Sequence, residues 1–411
     1  MFSIHSDPLA PLGAQETGGQ NLYVFSLLKQ LTRRGWAVDV FTRWDSKRKK
    51  PIVFVLKNSR VIRLKGGPMS YIPKAELFNY LQELYQQFLN FVGGKNPYSL
   101  FHGHYWEGGW MAKKASQQFK KPFVQNFHSL GMVRFQTKKK YHVDGKENEY
   151  FQKRFELEKE IAKNAHAIIS LAPSEKEALK NYYQVLEEKV HVIPGGVDLR
   201  VFKPKGLILS RKKTNLPLDA FVLLFVGRLE WRKGVGTLIA AARLLRERIK
   251  NLRVVVVGGK IYGKEKNWAD FKEYQRLLKK AKEEKVEDIV TFVGRVDHSK
   301  LPFYYCSANV LVIPSYYEPF GLVALEGMAC KVPVVASRVG GLSQVIEDGV
   351  SGLLFTPRNP IDLKEKILTI FGSKELADKL VENAYNKVKE NFCWKKIILK
   401  IEEVYNSLLQ K

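Results

Sequence analysis

Residues 221–234 read FVLLFVGRLEWRKG, and residues 310–326 read VLVIPSYYEPFGLVALE. Each stretch begins with a short apolar run and continues into a loop that contains glycine and charged side chains. An apolar run of this length followed by such a loop is typical of a buried strand in a parallel sheet. Because ligands bind at the carboxyl ends of the strands in these sheets, the two loops predict a ligand site.

The alternation of strand and helix extends from these two stretches over the whole chain. Helical patterns mark residues 21–34, 74–91 and 147–163, and β-rich runs lie on either side of them. Because this spacing is typical of parallel sheets covered by helices, the sequence predicts an α/β fold. The predicted strands are residues 37–42, 98–102, 122–128, 167–171, 190–193, 221–226, 252–257, 289–293, 310–313, 332–336 and 353–355.

A segment rich in glycine and proline, IPGGVDLRVFKPKG at residues 193–206, separates the two sets of strands. Such a composition is typical of a linker between domains. The sequence therefore predicts two Rossmann-like domains, residues 1–198 and 199–393, that face each other across a cleft. Residues 394–411 carry a helical apolar stripe, which predicts a C-terminal helix packed on the body or crossing back to the first domain.

The first residues, MFSIHSDPLA, have the character of the end of a buried strand that runs into a loop. We therefore expect a shortened first strand and leave the completeness of the N-terminus open. The start lacks a signal-peptide pattern, and no apolar run approaches the roughly 20 residues of a spanning helix. The 3 cysteines are far apart and fit a reducing compartment. These features predict a cytoplasmic protein.

Basic residues exceed acidic residues by 68 to 41, which gives a formal net charge of +27. This excess favours anionic partners, although ordinary solvated surface can account for much of it. Peripheral association with an anionic membrane therefore stays open. Nucleic acid is disfavoured, because the basic clusters lie in predicted loops and lack the interleaved aromatics of a base-stacking surface. These clusters are Arg43 with residues 47–50, residues 138–140 and residues 211–213.

The clearest chemical motif is EPFGLVALE at residues 318–326. Gly321 opens a predicted helix, and the N–H groups and positive dipole at a helix start attract anions. A sugar diphosphate fits across that end, with one of Glu318 and Glu326 accepting from sugar hydroxyls and the other from ribose hydroxyls. The alternative is a pair of solvated glutamates that flank a packed helix.

Three further motifs follow predicted strands. Arg228 and Lys233 lie in a loop bounded by glycines, where they either bind a diphosphate or form a solvated basic turn. Gly18 and Gly19 in the TGGQ motif either let backbone N–H groups approach a phosphate or form a plain turn. His128 in the FHSLG motif either contacts a sugar hydroxyl or is structural.

Together these motifs resemble the retaining glycosyltransferases of family 4, which have the GT-B fold. Within that family the sequence is similar to the branch of sucrose-phosphate synthases, sucrose synthases and the inositol-phosphate N-acetylglucosaminyltransferase of mycothiol biosynthesis. The resemblance covers nearly the whole chain in the family's order. The matching segments are TGGQNLYV (17–24), HGHYWEGG (102–109), FHSLG (127–131), IPGGVD (193–198), VGRLEWRKG (226–234), SYYEPFGLVALEGMACKVPVVAS (315–337) and VGGLSQVIEDGVSGLLF (339–355).

The resemblance implies a nucleotide-sugar site in the C-terminal domain. Arg228 and Lys233 are implied to neutralise the leaving diphosphate, and Glu318 to hold the hydroxyls of the donor sugar. His128 is implied to contact that sugar near its 6-hydroxyl, which completes the set of catalytic residues. The remaining implied donor contacts are Gly18 and Gly19 to phosphate, Arg295 and Val296 to the base, Phe320, Gly321 and Leu322 through backbone N–H groups, and Glu326 to the ribose.

The resemblance also implies an acceptor site in the N-terminal domain. In phosphate-acceptor members of the family, a lysine, a tyrosine, a hydroxyl residue and an arginine hold the acceptor phosphate, and their chemistry suits a dianion. The alternative is that each is an ordinary surface or capping group. The GGQ form of the glycine loop favours the sucrose-phosphate synthase branch, so fructose 6-phosphate is the first acceptor to test. The matching residues are Lys74, Tyr105, Ser129 and Arg154.

The mechanism implied by the family is front-face attack with retention of anomeric configuration. Cations then take the place often given to Mg²⁺, so neither a metal nor a tightly bound cofactor is expected. His102 and His104 form no metal motif with nearby carboxylates, and structural roles are favoured for both. UDP-glucose is the first expected donor, with ADP- and GDP-sugars as alternatives. The rival functions are a membrane-surface transferase with a lipid-linked or polysaccharide acceptor and, less favoured, a nucleotide-sugar epimerase or a binding-only relative.

Overall fold

The computed structural model describes residues 1–10, 18–141, 148–259, 261 and 269–410. These residues form two compact units. The first unit contains Met1–Ala10, Gly19–Pro194 and residues 397–410, and the second contains Gly18 and Gly195–Lys396. The chain therefore passes from the first unit to the second after Pro194 and returns within the C-terminal helix.

The sheet of the first unit is parallel except for one hairpin. The strands are β1 (Val38–Arg43), β2 (Ile52–Leu56), β3 (Ser59–Leu64), β4 (Phe101–His104), β5 (Phe123–Asn126), β6 (Ala167–Ser170) and β7 (Val190–Val192). β1 and β3 pair in parallel, β2 and β3 pair in antiparallel fashion, and β4 to β7 follow one another in parallel order.

The first residues of the chain join the two groups of strands. Phe2 bridges in parallel to both Phe41 and Gly103. Its N–H donates to the carbonyl of His102 at 2.8 Å, and the N–H of Ser3 donates to the carbonyl of Phe41 at 2.9 Å. The strand order thus reverses between this N-terminal segment and β4. In α/β sheets such a switch point is where ligands bind.

The strands of the second unit are β8 (Phe221–Val226), β9 (Leu252–Val257), β10 (Val290–Gly294), β11 (Val310–Ile313), β12 (Val334–Ser337) and β13 (Leu353–Phe355). They form one parallel sheet in the order β10-β9-β8-β11-β12-β13. If the six strands are numbered 1 to 6 along the chain, this order is 3-2-1-4-5-6, which is the Rossmann arrangement, with its switch point between β8 and β11. The loops after residues 221–226 and 310–313 therefore lie at one switch point.

Helices connect the strands of both units. Those in the first unit are α1 (Gly19–Arg33), α2 (Leu81–Val92), α3 (Tyr105–Phe119), α4 (Gly131–Lys140), α5 (Asn148–Asn164) and α6 (Pro173–Tyr183). Those in the second are α7 (Leu207–Thr214), α8 (Val235–Leu245), α9 (Ala269–Glu283), α10 (Leu301–Ser307), α11 (Leu322–Ala329), α12 (Leu342–Val345), α13 (Pro360–Gly372) and α14 (Lys374–Asn391), and α15 (Trp394–Leu409) ends the chain.

Two glycines bring α3 close to the centre of the first sheet. A Cβ on Gly108 would lie 2.2 Å from the carbonyl oxygen of Phe2, and one on Gly109 would lie 2.5 Å from Oε1 of Gln125. Because the neighbour of Gly108 is backbone, the packing requires glycine there, whereas the neighbour of Gly109 is the end of the Gln125 side chain, which would have to shift. The start of α3 is thereby fixed beside the switch point of the first unit.

The predicted α/β fold class is confirmed, but several details of the prediction were wrong. The hairpin of β2 and β3 was missed, and the helix predicted over residues 74–91 is a 3-10 turn over Lys74–Tyr80 followed by α2. Two basic clusters predicted in loops lie on helices, since residues 138–140 end α4 and residues 211–213 belong to α7.

The first residue of one predicted helix is not among the residues that the structure describes. The helix expected from residue 147 is observed as α5, which begins at Asn148, and residue 147 is not described. Among the described residues, no helix combines the length and the apolar character that crossing a membrane requires.

Candidate functional site

In the second unit, the loops that follow β8 and β11 touch each other. The N–H of Tyr316 donates to the carbonyl of Arg232 at 2.7 Å. A Cβ on Gly234, whose φ is +66°, would lie 1.9 Å from the carbonyl oxygen of Pro314. Glycine is therefore needed both for the backbone conformation and for the close approach of the two loops.

Lys233 and Glu318 meet at this junction. Lys233 Nζ donates to Glu318 Oε2 at 2.5 Å, and Ser315 Oγ donates to the same oxygen at 3.5 Å. The two charged side chains are 12% and 15% exposed, so water shields their charges only in part. An ammonium and a carboxylate, both reachable from solvent, thus stand at the switch point.

Arg228 belongs to a small charge network in the same loop. Its Nη1 lies 2.8 Å from Glu230 Oε1, and its Nη2 lies 3.7 Å from Asp270 Oδ1. Arg232 Nε donates to the other oxygen of Glu230 at 2.6 Å. Burial alone would lower the pKa of Arg232, but the carboxylates of Glu230 and Glu318 outweigh it and raise the pKa. Arg232 therefore stays charged at neutral pH.

The start of α11 lies directly after Glu318. Gly321 precedes the helix with a φ of +107°, a conformation that favours glycine. The N–H of Gly341 donates to the carbonyl of Glu318 at 3.0 Å, and a Cβ on Gly341 would lie 2.4 Å from Phe320 Cα. The loop that carries Phe320, Gly321 and Leu322 is thus held against a second glycine loop.

Glu326 lies farther along α11 and is buried. Tyr305 donates its hydroxyl to Glu326 Oε2 at 2.6 Å, and His298 Nε2 lies 3.3 Å from Oε1. Burial, and after it the Glu326 carboxylate, raises the pKa of Tyr305 well above its usual range, so this tyrosine stays a donor. Arg295 and Val296 directly follow β10, with Arg295 exposed and Val296 half-buried.

In the first unit, His128 follows β5 in a left-handed conformation with a φ of +58°. Its Nε2 lies 3.0 Å from Nδ1 of His104, and its ring contacts the edge of Tyr23 at a centroid distance of 5.1 Å. Burial lowers the pKa of His128 to about 3, so the imidazole is neutral at pH 7. A neutral imidazole has one donor and one acceptor nitrogen, and either can form a hydrogen bond with a sugar hydroxyl.

The buried His102 joins β4 to the C-terminal helix. Its Nδ1 lies 2.5 Å from the hydroxyl of Tyr405 on α15, and its Nε2 lies 3.0 Å from Asn126 Oδ1. Asn126 Nδ2 donates to a carbonyl, so Oδ1 is the acceptor and His102 Nε2 carries the proton.

Within the described ranges, no group of three or more His, Cys, Asp or Glu side chains could hold a metal ion.

The four predicted acceptor residues lie together in the first unit. Arg154 Nη1 donates to the hydroxyl of Tyr105 at 2.6 Å, and its Nη2 donates to the carbonyl oxygen of Ser129. Lys74 Nζ lies 5.2 Å from the centre of the Tyr105 ring. The cluster is centred on Tyr105, and in it Ser129 offers its backbone carbonyl to Arg154.

Arg154 is fully buried and strongly held. Its Nε donates to Glu158 Oε1 at 2.7 Å, and both side chains are 0% exposed. Burial alone would lower the pKa of Arg154, but Glu158 outweighs it and the pKa is raised well above its usual range. Glu158 Oε2 accepts in turn from the N–H of Gly131 at 2.9 Å. Lys74 is therefore the more accessible cation of the cluster.

Two residues that the sequence analysis did not select complete the cluster. Glu107 on the first turn of α3 is buried, and its Oε2 lies 3.1 Å from His5 Nδ1. The His5 ring meets the edge of Tyr105 at a centroid distance of 4.8 Å. Burial raises the pKa of Glu107 to about 8, and its Oε1 has no hydrogen-bond partner among the residues that the structure describes.

The glycine loop before α1 is described only in part. Gly19 is the first residue of α1, and Gly18 precedes it. A Cβ on Gly18 would meet no atom within 4 Å, so the packing described here does not itself require glycine at that position. Thr17, the first residue of the predicted motif, lies outside the described residues.

Comparison with known proteins assigns the family. Residues 17–201 match the model of Glycosyltransferase Family 4, and residues 208–387 match that of Glycosyl transferases group 1. The D-inositol 3-phosphate glycosyltransferase of Nocardiopsis dassonvillei is 35% identical over 362 residues, which cover 88% of this chain and 83% of that relative. The chain belongs to glycosyltransferase family 4.

Two further proteins are similar to this family-4 glycosyltransferase over its whole length. A D-inositol 3-phosphate glycosyltransferase of Corynebacterium glutamicum is 30% identical over 415 residues, covering 100% of this chain and 96% of its own. The structure of a sucrose-phosphate synthase from Thermosynechococcus elongatus matches with a TM-score of 0.90 and 36% identity, covering 100% of this chain and 98% of its own.

A more distant structure shares the GT-B fold. HepE of Anabaena in complex with UDP-glucose matches this glycosyltransferase with a TM-score of 0.77 and 20% identity, covering 99% of this chain and 100% of its own. At that identity the match supports the fold, which is the α/β GT-B fold expected from the motifs.

The sequence of this glycosyltransferase did contain a signal for Glu107. The residue follows Tyr105 by two positions and stands directly before the glycine pair 108–109. Glycines at a helix start let another backbone approach closely, so a side chain directly before them is expected to lie at a packed position. His5 could not be connected with it, because the pairing of the N-terminal segment with β4 spans about a hundred residues of sequence.

Proposed function

We propose that this glycosyltransferase moves a hexose, first of all glucose, from a nucleoside-diphosphate sugar to a small phosphorylated sugar or polyol with retention of anomeric configuration. The observation that carries the proposal is the Lys233–Glu318 pair at the switch point of the second unit, beside the start of α11. An ammonium suits the diphosphate of such a donor, and a carboxylate suits its sugar hydroxyls.

The second unit provides the donor site in this proposal. Lysine has three N–H donors, so Lys233 can keep its bond to Glu318 and still donate to a phosphate oxygen. Arg228 supplies a second cation from the same loop, and its planar fork suits phosphate oxygens. Backbone N–H groups of residues 320–322 add to the anion site at the start of α11.

The nucleoside lies against the other strand ends of the same sheet in our proposal. Glu326 accepts from the ribose hydroxyls, and Tyr305 holds one of its oxygens in place. Arg295 and Val296 contact the base through their backbone after β10. Gly18 leaves room beside the start of α1 for a phosphate or the acceptor, and Gly19 opens that helix.

In the proposed reaction the bond between the anomeric carbon and the leaving phosphate oxygen breaks as the acceptor oxygen attacks the same face. The acceptor proton passes to an oxygen of the leaving phosphate, so the products are the glycoside and a nucleoside diphosphate. Negative charge grows on the leaving group, where Arg228 and Lys233 stabilise it without need of a tightly bound metal. The neutral His128 contacts the donor sugar near its 6-hydroxyl.

The first unit provides the acceptor site in this proposal. Lys74 and Arg154 offer cationic donors around Tyr105, and Ser129 adds a hydroxyl. Two similar proteins carry names with a phosphorylated polyol or sugar, D-inositol 3-phosphate glycosyltransferase and sucrose-phosphate synthase. These names support a phosphorylated acceptor, and fructose 6-phosphate is the first to test.

The base of the donor is proposed from a ligand bound to a protein of the same fold. HepE, which shares the fold, was solved with UDP-glucose, so UDP-glucose is our first donor and ADP- and GDP-glucose are the alternatives. We place the reaction in the cytoplasm, where the 3 cysteines of the chain stay reduced.

The proposal is tested in two steps. A screen of donor hydrolysis with UDP-, ADP- and GDP-glucose first identifies the nucleotide. NMR of the product made with fructose 6-phosphate then gives the anomer, which we expect to match that of the donor. Arg228→Ala should slow transfer by about tenfold or more, since charge-assisted bonds to the leaving group are lost. An inverted product, or full activity of Arg228→Ala, would contradict the mechanism.

A further inference from the structure

The start of α7 in the second unit exposes an unusual run of apolar side chains. Leu207, Ile208 and Leu209 are 45%, 61% and 50% exposed. Elsewhere in the described part of the chain, large exposed apolar residues never occur three in succession. Contiguous exposed apolar surface in a folded protein marks an interaction site. We call these three residues the α7 patch.

The fold keeps the α7 patch exposed to solvent. Arg211, which lies one turn after Leu207 in the same short helix, is buried and donates through Nε to the carbonyl of Ser307 at 3.2 Å and through Nη2 to Asn309 Oδ1 at 2.8 Å. Its Nη1 donates to the carbonyl of Pro217 at 2.9 Å. Because these bonds fix the helix to the body, the exposure of its first turn reflects a definite orientation.

Basic side chains flank the α7 patch on both sides. Lys203 precedes it and Lys212 and Lys213 follow it, and all three are exposed. Leu218, which follows the helix, is a further exposed apolar residue at 55%. Apolar side chains ringed by lysines are complementary to a surface that is apolar inside and anionic at its rim.

We propose that the α7 patch docks this protein on the surface of an anionic lipid bilayer. The apolar side chains enter the boundary between headgroups and acyl chains, and the lysines lie at the level of the lipid phosphates. A bilayer fits better than a second copy of the chain, because each copy carries a formal net charge of +27 and repels the other. This inference goes beyond the proposed transfer reaction and does not depend on its substrate.

Co-sedimentation with vesicles tests the docking surface. We expect the full chain to bind phosphatidylcholine vesicles that contain about 30 mol % phosphatidylglycerol, and to bind pure phosphatidylcholine far less. The triple variant Leu207→Ser/Ile208→Ser/Leu209→Ser should lose at least about tenfold in affinity for the anionic vesicles. Lys212→Ser/Lys213→Ser should also weaken binding and reduce its dependence on salt.

A matched control removes an equally exposed side chain elsewhere in the same unit. Ile361 is 61% exposed, as is Ile208, and Ile361→Ser should bind anionic vesicles as the unchanged protein does. Circular dichroism and hydrolysis of the donor sugar verify that each variant is folded. The docking site is wrong if the triple variant binds anionic vesicles like the unchanged protein, or if both vesicle types bind equally. It is also wrong if vesicles are not bound and the triple variant instead abolishes a dimer in solution.

Discussion

Lys233 and Glu318 lie 85 positions apart in the chain, yet Lys233 Nζ donates to Glu318 Oε2 at 2.5 Å. The contact exists because β8 and β11 are neighbours in the sheet, so the loops after them open at the same edge. Each partner fixes the rotamer of the other before any ligand arrives. Preorganised charge of this kind stabilises a transition state without reorganisation during the reaction.

The first prediction concerns the ammonium of Lys233. Lys233→Met keeps the length of the side chain but removes the charge next to the proposed leaving group. The lost charge-assisted bond is worth about 1.5–3 kcal/mol, so kcat should fall about tenfold to a hundredfold. Turnover at saturating donor and acceptor measures this effect.

Lys331→Met is the matched control for that variant. Lys331 lies in the same unit and pairs with Glu382 at the surface, so its loss should leave kcat unchanged. Normal turnover of Lys233→Met would show that the cation takes no part in departure of the leaving group.

The second prediction concerns the ribose contact proposed for Glu326. In Glu326→Gln one carboxylate oxygen becomes an amide nitrogen, which cannot accept from a ribose hydroxyl. We expect the Kd of the nucleoside diphosphate to rise about tenfold, in line with the loss of a charge-assisted bond. Titration calorimetry measures the Kd directly.

Tyr305→Phe separates the two parts of that effect. It removes only the hydroxyl that donates to Glu326 Oε2, so the carboxylate keeps its charge but loses one support. The Kd of the nucleoside diphosphate should therefore rise less in Tyr305→Phe than in Glu326→Gln. Equal affinity of all three proteins for the nucleotide would place the ribose elsewhere.

Part of the fold could be predicted from local pattern alone. The strands of the second unit are mostly apolar, and the predicted bounds of 221–226 and 252–257 match those observed. β2 was missed although its five residues, IVFVL, are all apolar. It is a partly exposed edge strand that pairs only with β3, and this antiparallel pairing departs from the strand–helix alternation on which the prediction rested.

The candidate site was predictable as a set of loops but not as a set of contacts. Strand ends can be read from the sequence, which is why Arg228, Lys233 and Glu318 were selected. The partners of these side chains could not be predicted. Arg228, for example, also faces Asp270 on α9. The order of strands in a sheet depends on long-range pairing that single residues do not encode.

The third prediction concerns the acceptor cluster. Lys74→Met removes its more accessible cation, which should raise the acceptor KM about tenfold and leave donor hydrolysis intact. Lys57→Met, at an exposed turn of the same unit, is the control and should change neither quantity. Equal activity on fructose and fructose 6-phosphate, in the unchanged enzyme, would show that no phosphate pocket exists.

Arg154 needs a different variant because it is fully buried beside Glu158. Removing one partner of a buried pair leaves the other charge unpaired, so Arg154→Ala is expected to destabilise the first unit by about 3–5 kcal/mol. Arg154→Lys keeps the charge but loses the planar fork that reaches Tyr105 and Ser129 together. It should therefore raise the acceptor KM with a smaller loss of thermal stability.

The fourth prediction concerns the pH dependence of stability. Burial raises the pKa of Glu107 from 4.5 to about 8, although Lys74 and Arg154 act in the opposite direction. Between these values the folded protein keeps a proton that the unfolded chain has lost. Stability should then fall as the pH rises from about 5 to 8, by at most about 1.4 kcal/mol per pH unit.

Glu107→Gln tests this sign, because the amide stays neutral at every pH. The variant should lose the slope, so its Tm relative to the unchanged protein should increase steadily from pH 5 to pH 8. Glu187→Gln is the control in the same unit. The pKa of Glu187 is lowered by its bond to Lys180, so its contribution is already complete above pH 5 and adds no slope there. Parallel Tm curves for Glu107→Gln and the unchanged protein would mean that Glu107 is ionised in the folded state, with His5 as its cationic partner at 3.1 Å.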